Sequence, residues 1–240
     1  MVAERLSHTV FISRYCENYY SRCQFPRSVI PYGTDTSKIR PLPRNLNLLQ
    51  KLNIAPDTYI LFALQRLNPI KRVDLLIQSV HHIVKDGLSN IVLLIGGDGP
   101  EKTKLQNLAH SLGVQNHVQF LGFIPESEIV EYFSLADCFV FASQFETFGI
   151  VLAQAMAAGL PVVAPTSSAI PEVIEHGVTG LLSTPLDSKS YAQNIARLLA
   201  DKDLREKMGQ QARARAERLY DWRIVAERYE NVLQAVARES

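Results

Sequence analysis

The stretch TYILFALQRLNPIKRVDLLIQSVHHIVKDG, residues 58–87, holds a strand, a loop and a helix in that order. Its first seven residues are almost continuously apolar, which is typical of a strand whose two faces are both covered by helices. The segment 73–87 spaces its apolar residues as an amphipathic helix does. It ends on Gly87, a residue type that suits the left-handed position after a helix. We interpret the stretch as one β–α unit of a parallel sheet.

The same alternation of apolar strand and helical pattern recurs along the rest of the chain. The further predicted strands are NIVLLIGG (90–97), HVQFLGF (117–123), DCFVFAS (137–143), PVVAPT (161–166) and TGLLST (179–184). The helical patterns between and after them cover 101–113, 126–136, 149–159 and 187–200, with a short turn at 171–177. Repeated units of this kind predict an α/β fold with a doubly wound, parallel, Rossmann-like sheet. Two polar helices, at 202–220 and 222–239, follow with no strand between them.

The two ends of the chain differ from this repeating part. Residues 1–26 contain one strand and one helix, which cannot build a hydrophobic core alone, so we interpret them as the remnant of a preceding domain. A Pro-rich link, PLPR at 41–44, lies between this opening and the strand at 58–64. We assign 27–220 to the main domain and 221–240 to a last helix that packs against an N-terminal domain.

Composition excludes several classes of protein. The 240 residues carry 25 Lys and Arg against 24 Asp and Glu, so no bulk field attracts nucleic acid, and we expect no nucleic-acid partner. Three cysteines without a CxxC pair favour a reduced, cytoplasmic protein. No apolar run approaches the roughly 18 residues that span a bilayer, and the first residues lack the apolar stretch of a signal peptide. We find no metal-ligand spacing and no triad pattern around the histidines, so we expect no metal site.

Ligands of open α/β sheets bind beyond the carboxyl ends of the strands. Four loops lie there: QRLNPIKR (65–72), GGDGP (96–100), GFIPE (122–126) and SQFETFG (143–149). Arg66 and Lys71 in the first loop suit a diphosphate, because Arg forks onto two oxygens and Lys acts as a mobile point charge. A solvated charged loop is the alternative. GGDGP matches neither the dinucleotide motif nor the P-loop spacing, so we interpret it as a strand-to-helix turn, with direct phosphate binding as the alternative.

The segment Glu146–Gly149 places a carboxylate just before a predicted helix. The first amides of a helix are unpaired and carry partial positive charge, so they can hold a phosphate or sugar hydroxyls. Gln154 lies one turn inside this helix and can share a face with Ile150. The alternative makes Glu146 an ordinary charge at a helix N-terminus and Gln154 a neutral surface residue.

Taken together, these segments resemble the retaining glycosyltransferases of group 1, the family that includes sucrose and glycogen synthases. The resemblance covers nearly the whole chain from about residue 27. It is carried by IPYGTD (30–35), QRLNPIKRVDLLI (65–77), GGDGPEKTKLQNLAHSLGV (96–114), VQFLGFIP (118–125), ADCFVFAS (136–143), ETFGIVLAQAMAAGLPVVA (146–164) and IPEVIEHGVTGLL (170–182). Several ordered blocks at the expected separations are far more specific than one short motif.

The resemblance implies a fold, a donor substrate and a set of site residues. The fold is the C-terminal half of a GT-B enzyme, which binds a nucleotide-diphosphate sugar as donor substrate and needs no other cofactor. Arg66 and Lys71 match the pair that neutralises the departing diphosphate, and Glu146 matches the first acid of the family's E-x7-E signature. The segment whose amides hold the sugar and phosphate is matched by Phe148, Gly149, Ile150 and Val151. Ile124 matches the backbone position that contacts the base.

This sequence departs from the family pattern at several positions. The second acid of E-x7-E, which binds the ribose hydroxyls, is Gln154, which can accept a hydrogen bond but lacks the charge that strengthens it. The usual glycines before Arg66 and after Lys71 are Gln65 and Arg72. The usual Gly-Gly pair before IPEV is Ser168–Ala169. These changes put donor affinity and loop geometry in question.

The family's N-terminal domain, which supplies the acceptor site, is missing from this sequence. We therefore expect a donor-binding half that transfers a hexosyl group, with retention, to an acceptor held by a missing N-terminal domain or a separate partner chain. Peripheral membrane contact through that missing half stays open. A non-catalytic nucleotide-sugar-binding or regulatory subunit is the alternative. A sugar-nucleotide epimerase or a phosphorylase of the same fold is a weaker alternative, because the E-T-F-G segment argues against both.

Overall fold

A computed structural model describes residues 8–20 and 25–239 of the chain. Its strands, in chain order, are β1 (Thr9–Phe11), β2 (Arg27–Val29), β3 (Tyr59–Leu64), β4 (Ile91–Gly96), β5 (Val118–Gly122), β6 (Cys138–Val140), β7 (Val162–Pro165) and β8 (Gly180–Ser183). Its α-helices are α1 (Arg14–Tyr19), α2 (Leu46–Lys51), α3 (Val73–Lys85), α4 (Lys102–Ser111), α5 (Ile129–Leu135), α6 (Ile150–Ala157), α7 (Ile170–Val173), α8 (Ser188–Ala200), α9 (Lys202–Leu219) and α10 (Trp222–Glu239).

The main sheet of the described residues has six parallel strands in the order β5-β4-β3-β6-β7-β8. Successive residues of β3 enter two different cores. Leu61 and Ala63 pack on the side of α3, α4 and α8, while Ile60 and Phe62 pack on the side of α5, α6 and α9. All four side chains are completely buried. Burial of both faces explains the continuous apolar runs in the sequence, and the predicted doubly wound sheet is confirmed.

One helix has no counterpart in the sequence prediction. Helix α2 follows the Pro-rich link, and Asn45 caps it by accepting a hydrogen bond from the backbone N–H of Leu48 at 3.0 Å. Leu49 is buried in the core on the α6 side of the sheet. The helix has only six residues, too few for a helical period to stand out in the sequence.

The two terminal helices pack differently. Helix α9 lies against α6 so closely that a Cβ on Gly209 would meet the carbonyl oxygen of Gly159 well under 3.0 Å away. Helix α10 is mostly exposed, and Val225 is its one buried side chain among the described residues. Its expected packing against an N-terminal domain stays a prediction.

Asp221 joins α10 to the segment that leads into the main domain. Its carboxylate accepts hydrogen bonds from Thr36 and from the Arg223 guanidinium, the latter at 2.9 Å, and only 6% of its side chain is exposed. These donors, Arg223 first, hold the pKa of Asp221 well below its usual range. Asp221 therefore contributes stability in its ionised form.

Candidate functional site

The carboxyl ends of β3 and β6 mark the point where the strand order reverses. The chain runs from β3 outward through β4 to β5, then returns and runs from β6 outward through β7 to β8. The crossovers that follow β3 and β6 therefore run in opposite directions along the sheet, an arrangement that in open α/β sheets forms a crevice at this point. Such a switch point is where ligands bind in open α/β sheets. The loops concerned are 65–72 and 141–149, two of the four that the sequence singles out.

The two loops meet through an ion pair. The Lys71 ammonium contacts the Glu146 carboxylate, with 22% and 13% of the two side chains exposed. The same ammonium lies 5.8 Å from the centre of the Phe141 ring. The backbone N–H of Gln144 also donates to the Ile70 carbonyl at 2.8 Å, so backbone as well as charge holds the loops together. The structure thus brings Lys71 and Glu146, 75 residues apart in sequence, to one place.

Arg66 differs from Lys71 in having no charged partner. Its side chain is exposed, and within residues 8–20 and 25–239 it makes no hydrogen bond or ion pair. An arginine with free donors at the switch point is available to an anion. It lies in the same loop as Lys71, as the sequence requires.

Two residues that replace family glycines adopt left-handed backbone. Arg72 has φ +48° and Ser168 has φ +47°. This left-handed region costs an L-amino acid roughly 1–2 kcal/mol, whereas glycine adopts it freely. Each offsets part of this cost with a local bond. Arg72 forms three hydrogen bonds, at 2.9, 3.3 and 2.8 Å, to the Asp74 carboxylate, and the Ser168 hydroxyl accepts one from the backbone N–H of Glu146 at 2.9 Å. The backbone path that glycine permits is therefore kept with other side chains.

Glu146 is fixed by its neighbours on both sides of its peptide. Besides the bond to Ser168, its carbonyl oxygen accepts from the Ala169 backbone N–H at 3.2 Å. The residues just before α7 therefore bracket Glu146. A carboxylate with its backbone held in this way can present a defined acceptor to a ligand.

The start of α6 follows directly. Gly149 precedes the helix at φ +82°, and no side chain of the described residues caps the first amides. Phe148 is buried, and its ring packs edge-on against Tyr32 and Tyr220 at 6.0 and 5.4 Å. Ile150 is 43% exposed. The uncapped helix terminus is therefore open to a hydrogen-bond acceptor from outside.

The other predicted site residues are placed as follows. Val151 and Gln154 are half-buried on α6, and within the described residues the Gln154 side-chain amide has no hydrogen-bond partner. Ile124 is buried after β5, with its side chain packed where a Cβ on Gly96 would lie 2.6 Å away. Its side chain thus belongs to the core, which leaves only its backbone for contact with a ligand. The roles assigned to these residues stay predictions.

The glycine-rich loop 96–100 packs against the loop after β3. A Cβ on Gly97 would lie well under 3.0 Å from the carbonyl oxygen of Gln65, and Gly97 has φ +114°. Gly99 approaches the carbonyl of Leu67 in the same way, and the Leu67 N–H donates to the Asp98 carbonyl at 2.9 Å. These contacts favour the interpretation of GGDGP as a turn that needs close backbone approach.

The surroundings of two residues at this edge of the sheet were not predicted from the sequence. Gln65 is 8% exposed, and both polar atoms of its side chain lack a hydrogen-bond partner in the described protein. Phe123, which follows β5, is 81% exposed. Gln65 stood out only as a departure from glycine, and nothing in the pattern around Phe123 signals exposure.

Helix α1 docks onto the loops that hold Glu146. The Glu172 carboxylate accepts from the backbone N–H groups of Arg14 and Tyr15 at 2.8 and 2.6 Å, and so caps the first turn of α1. The buried Cys16 thiol donates to the Thr147 carbonyl at 3.7 Å. Residues 13–16 are thus joined both to α7 and to the segment 146–149. Their assignment to a preceding domain stays a prediction, and residues 1–7 and 21–24 of that assignment lie outside the described residues.

The described residues contain neither a cluster of metal ligands nor a membrane-spanning helix. Residues 8–20 and 25–239 contain no group of three or more His, Cys, Asp or Glu side chains that can hold a metal ion. In the same residues, no helix has the length and apolar character needed to cross a membrane.

Comparison with known proteins adds an independent line of evidence. The family model for "Glycosyl transferases group 1" matches residues 46–215, which is 170 of the 240 residues. The chain is 32% identical over 197 residues to N-acetyl-alpha-D-glucosaminyl L-malate synthase of Bacillus anthracis, covering 82% of this chain and 51% of that protein. It is 30% identical over 234 residues to a GDP-mannose-dependent alpha-(1-6)-phosphatidylinositol monomannoside mannosyltransferase of Mycobacterium tuberculosis, covering 93% and 60%.

A solved structure extends the comparison to the fold. Anabaena HepE in complex with UDP and glucose superposes with a TM-score of 0.88 and 25% identity, over 98% of this chain and 65% of that one. This chain therefore spans about half to two-thirds of the length of these three proteins.

Proposed function

We propose that this chain, which belongs to the group 1 glycosyltransferase family, is the donor-binding half of a retaining glycosyltransferase. Its ligand is a nucleotide-diphosphate sugar, held in the crevice between the ends of β3 and β6. The hexosyl group passes to an acceptor held by an N-terminal domain, on the same or on a separate chain. The chain spans 51% and 60% of the length of the two relatives described above, so it corresponds to one part of each of them.

One observation carries the proposal: Lys71 and Glu146 meet at the switch point, while Arg66, in the same loop as Lys71, has no side-chain hydrogen bond or ion pair to any described residue. A glycosyl donor brings a diphosphate to one side of the reacting carbon and sugar hydroxyls to the other. Two cations suit the diphosphate, and the carboxylate suits the hydroxyls. The paired arrangement supplies both kinds of group within one crevice.

The chemistry of the transfer fits these groups. As the bond from sugar to diphosphate breaks, negative charge grows on the diphosphate oxygens. Arg66 and Lys71 stabilise that charge most where it is largest, which is the condition for accelerating the step. The open amides at the start of α6 add further donors without a side-chain charge. Glu146, fixed by Ser168 and Ala169, orients the sugar.

The printed descriptions of similar proteins support a donor of this class. One relative is described as GDP-mannose-dependent, and HepE was solved with UDP and glucose. The nucleotides differ between these proteins, so the choice of base and sugar for this chain needs its own measurement.

Calorimetric titration of the chain with UDP, GDP and ADP sugars tests the proposal. We expect saturable binding of one nucleotide, weakened by about 1.5–3 kcal/mol in Arg66→Ala, the scale of a hydrogen bond to a charged group. Arg218→Ala serves as the control, because Arg218 is an exposed arginine of α9 without an ion pair among the described residues. Binding that is equal in both variants, or no binding of any nucleotide, contradicts the donor role.

A second candidate is a non-catalytic nucleotide-sugar-binding subunit. Gln154 favours it, because the amide lacks the negative charge of the glutamate that the family uses for ribose. This candidate predicts donor binding without transfer when any N-terminal domain is supplied. Transfer observed with such a domain would remove it.

A further inference from the structure

A cavity that is lined in part by Phe148 lies next to the start of α6. It has a volume of about 300 Å³ and is bounded by the β1–α1 connection and by helices α7, α9 and α10. Its charged and aromatic lining consists of Arg14, Phe148, Glu172, Arg215, Tyr220 and Arg228. We call it the arginine cavity. None of its charged residues belongs to the proposed donor site.

The charges of the arginine cavity do not balance. Three guanidinium groups face one carboxylate, Glu172, and that carboxylate already accepts two backbone N–H groups of α1 at 2.8 and 2.6 Å. The negative charge of Glu172 is therefore directed largely at the helix terminus. Because Arg215 is also paired with Glu175, the excess of positive charge in the cavity comes from Arg14 and Arg228.

The three arginines differ in how much of their hydrogen-bonding capacity is used. Arg215 donates to the carbonyls of Val173 and Glu172 at 3.2 and 2.9 Å and forms an ion pair with the Glu175 carboxylate at 3.4 Å, so its charge is compensated and it serves mainly as a structural brace. Arg14 and Arg228, by contrast, have no side-chain hydrogen bond or ion pair within the part of the chain that is described. Arg14 is exposed and Arg228 is half-buried. Two guanidinium groups with free donors thus line one concave space.

We propose that the arginine cavity binds a small ligand that carries a phosphate group, held between Arg14 and Arg228. Planar guanidinium groups bind phosphate oxygens in pairs, and a second guanidinium cancels the remaining charge. The volume lies at the lower end of the range for small-molecule sites, which fits inorganic phosphate or a phosphorylated compound of sugar size. The wall formed by Phe148 places this ligand next to the segment 148–151 but outside the crevice between β3 and β6.

The test uses inorganic phosphate as the probe. It is carried out in a variant that lacks the Arg66 guanidinium of the loop 65–72. In an Arg66→Ala background, calorimetric titration at constant ionic strength is expected to show saturable phosphate binding. Adding Arg228→Gln is expected to weaken that binding at least tenfold, the loss that follows from removing one charge-assisted hydrogen bond. Arg14→Gln is also expected to weaken phosphate binding. Because the Arg14 side chain makes no hydrogen bond or ion pair with the described residues, this substitution removes no interaction of that kind from the fold.

The matched control is Arg218→Gln in the same background, which makes the same change of charge on the exposed surface of α9. We expect it to leave phosphate binding unchanged. The proposal is overturned if phosphate does not bind saturably, or if Arg228→Gln and Arg218→Gln bind it equally. Because Arg66 is absent throughout, the outcome does not depend on whether the chain binds a nucleotide sugar.

Discussion

Gly97 offers a direct test of the backbone packing beneath the candidate site. In Gly97→Ala the new Cβ would lie well under 3.0 Å from the carbonyl oxygen of Gln65, which is backbone and has little freedom to move. The position also has φ +114°, which alanine adopts only with strain. Strain of this kind costs roughly 1–3 kcal/mol, and forcing a group into packed surroundings adds roughly 1–3 kcal/mol. We therefore expect Gly97→Ala to lower the free energy of unfolding by about 2–6 kcal/mol.

Gly87→Ala separates the two contributions. Gly87 has a similar φ of +105°, but a Cβ there would meet nothing within 4 Å, so only the backbone strain of roughly 1–3 kcal/mol applies. Urea unfolding followed by circular dichroism measures both variants. With a slope of about 1–3 kcal/mol per molar urea, the midpoint of Gly97→Ala is expected to fall about 1 M below that of Gly87→Ala. Equal midpoints would refute the close approach of the two loops.

Three further predictions follow from contacts elsewhere in the chain. Glu172→Ala removes the acceptor for the backbone N–H groups of Arg14 and Tyr15, which joins α1 to α7, so the Cys16 thiol is expected to react with a maleimide at least tenfold faster in peptide mapping; an unchanged rate contradicts the docking of α1. The lowered pKa of Asp221 means that its contribution to stability is complete above about pH 4 and is lost as the pH falls below that value. Asp221→Asn is therefore expected to unfold more easily at pH 7 and to show a flatter acid dependence, and parallel pH–stability curves would contradict this. A double-mutant cycle with Lys71→Met and Glu146→Gln is expected to give a coupling free energy of about 1–2 kcal/mol in the free energy of unfolding, between the values for exposed and buried ion pairs. A coupling free energy of zero would show that the Lys71–Glu146 ion pair does not stabilise the fold.

Much of the fold was predictable because the apolar pattern of each β–α unit lies within one continuous stretch of the sequence. The run 58–64 and the helix pattern after it fall within one or two residues of β3 and α3. The order of the strands was not predictable from periodicity, because no local pattern states that β3 lies beside β6. Helix α2 was missed because six residues are too few to establish a period, although Asn45 is an ordinary N-terminal cap.

For the candidate site, the sequence singled out residues but only part of their geometry, and the roles of those residues stay predictions. Spacing selected Arg66, Lys71 and Glu146, and the family resemblance gave them roles. The contact between Lys71 and Glu146 joins segments 75 residues apart, and only the sheet topology brings them together. The left-handed backbone of Arg72 could not be predicted from the sequence either, because positive φ is uncommon for residues other than glycine.

The central claim is that a nucleotide diphosphate binds between the ends of β3 and β6. A crystal of this chain soaked with UDP, and a second soaked with GDP, tests it most directly. The account predicts that the diphosphate of at least one nucleotide lies within hydrogen-bonding distance of Arg66 and Lys71, with its base near the backbone of Ile124. Crystals in which neither nucleotide places its diphosphate at Arg66 and Lys71 would contradict the donor role of this chain.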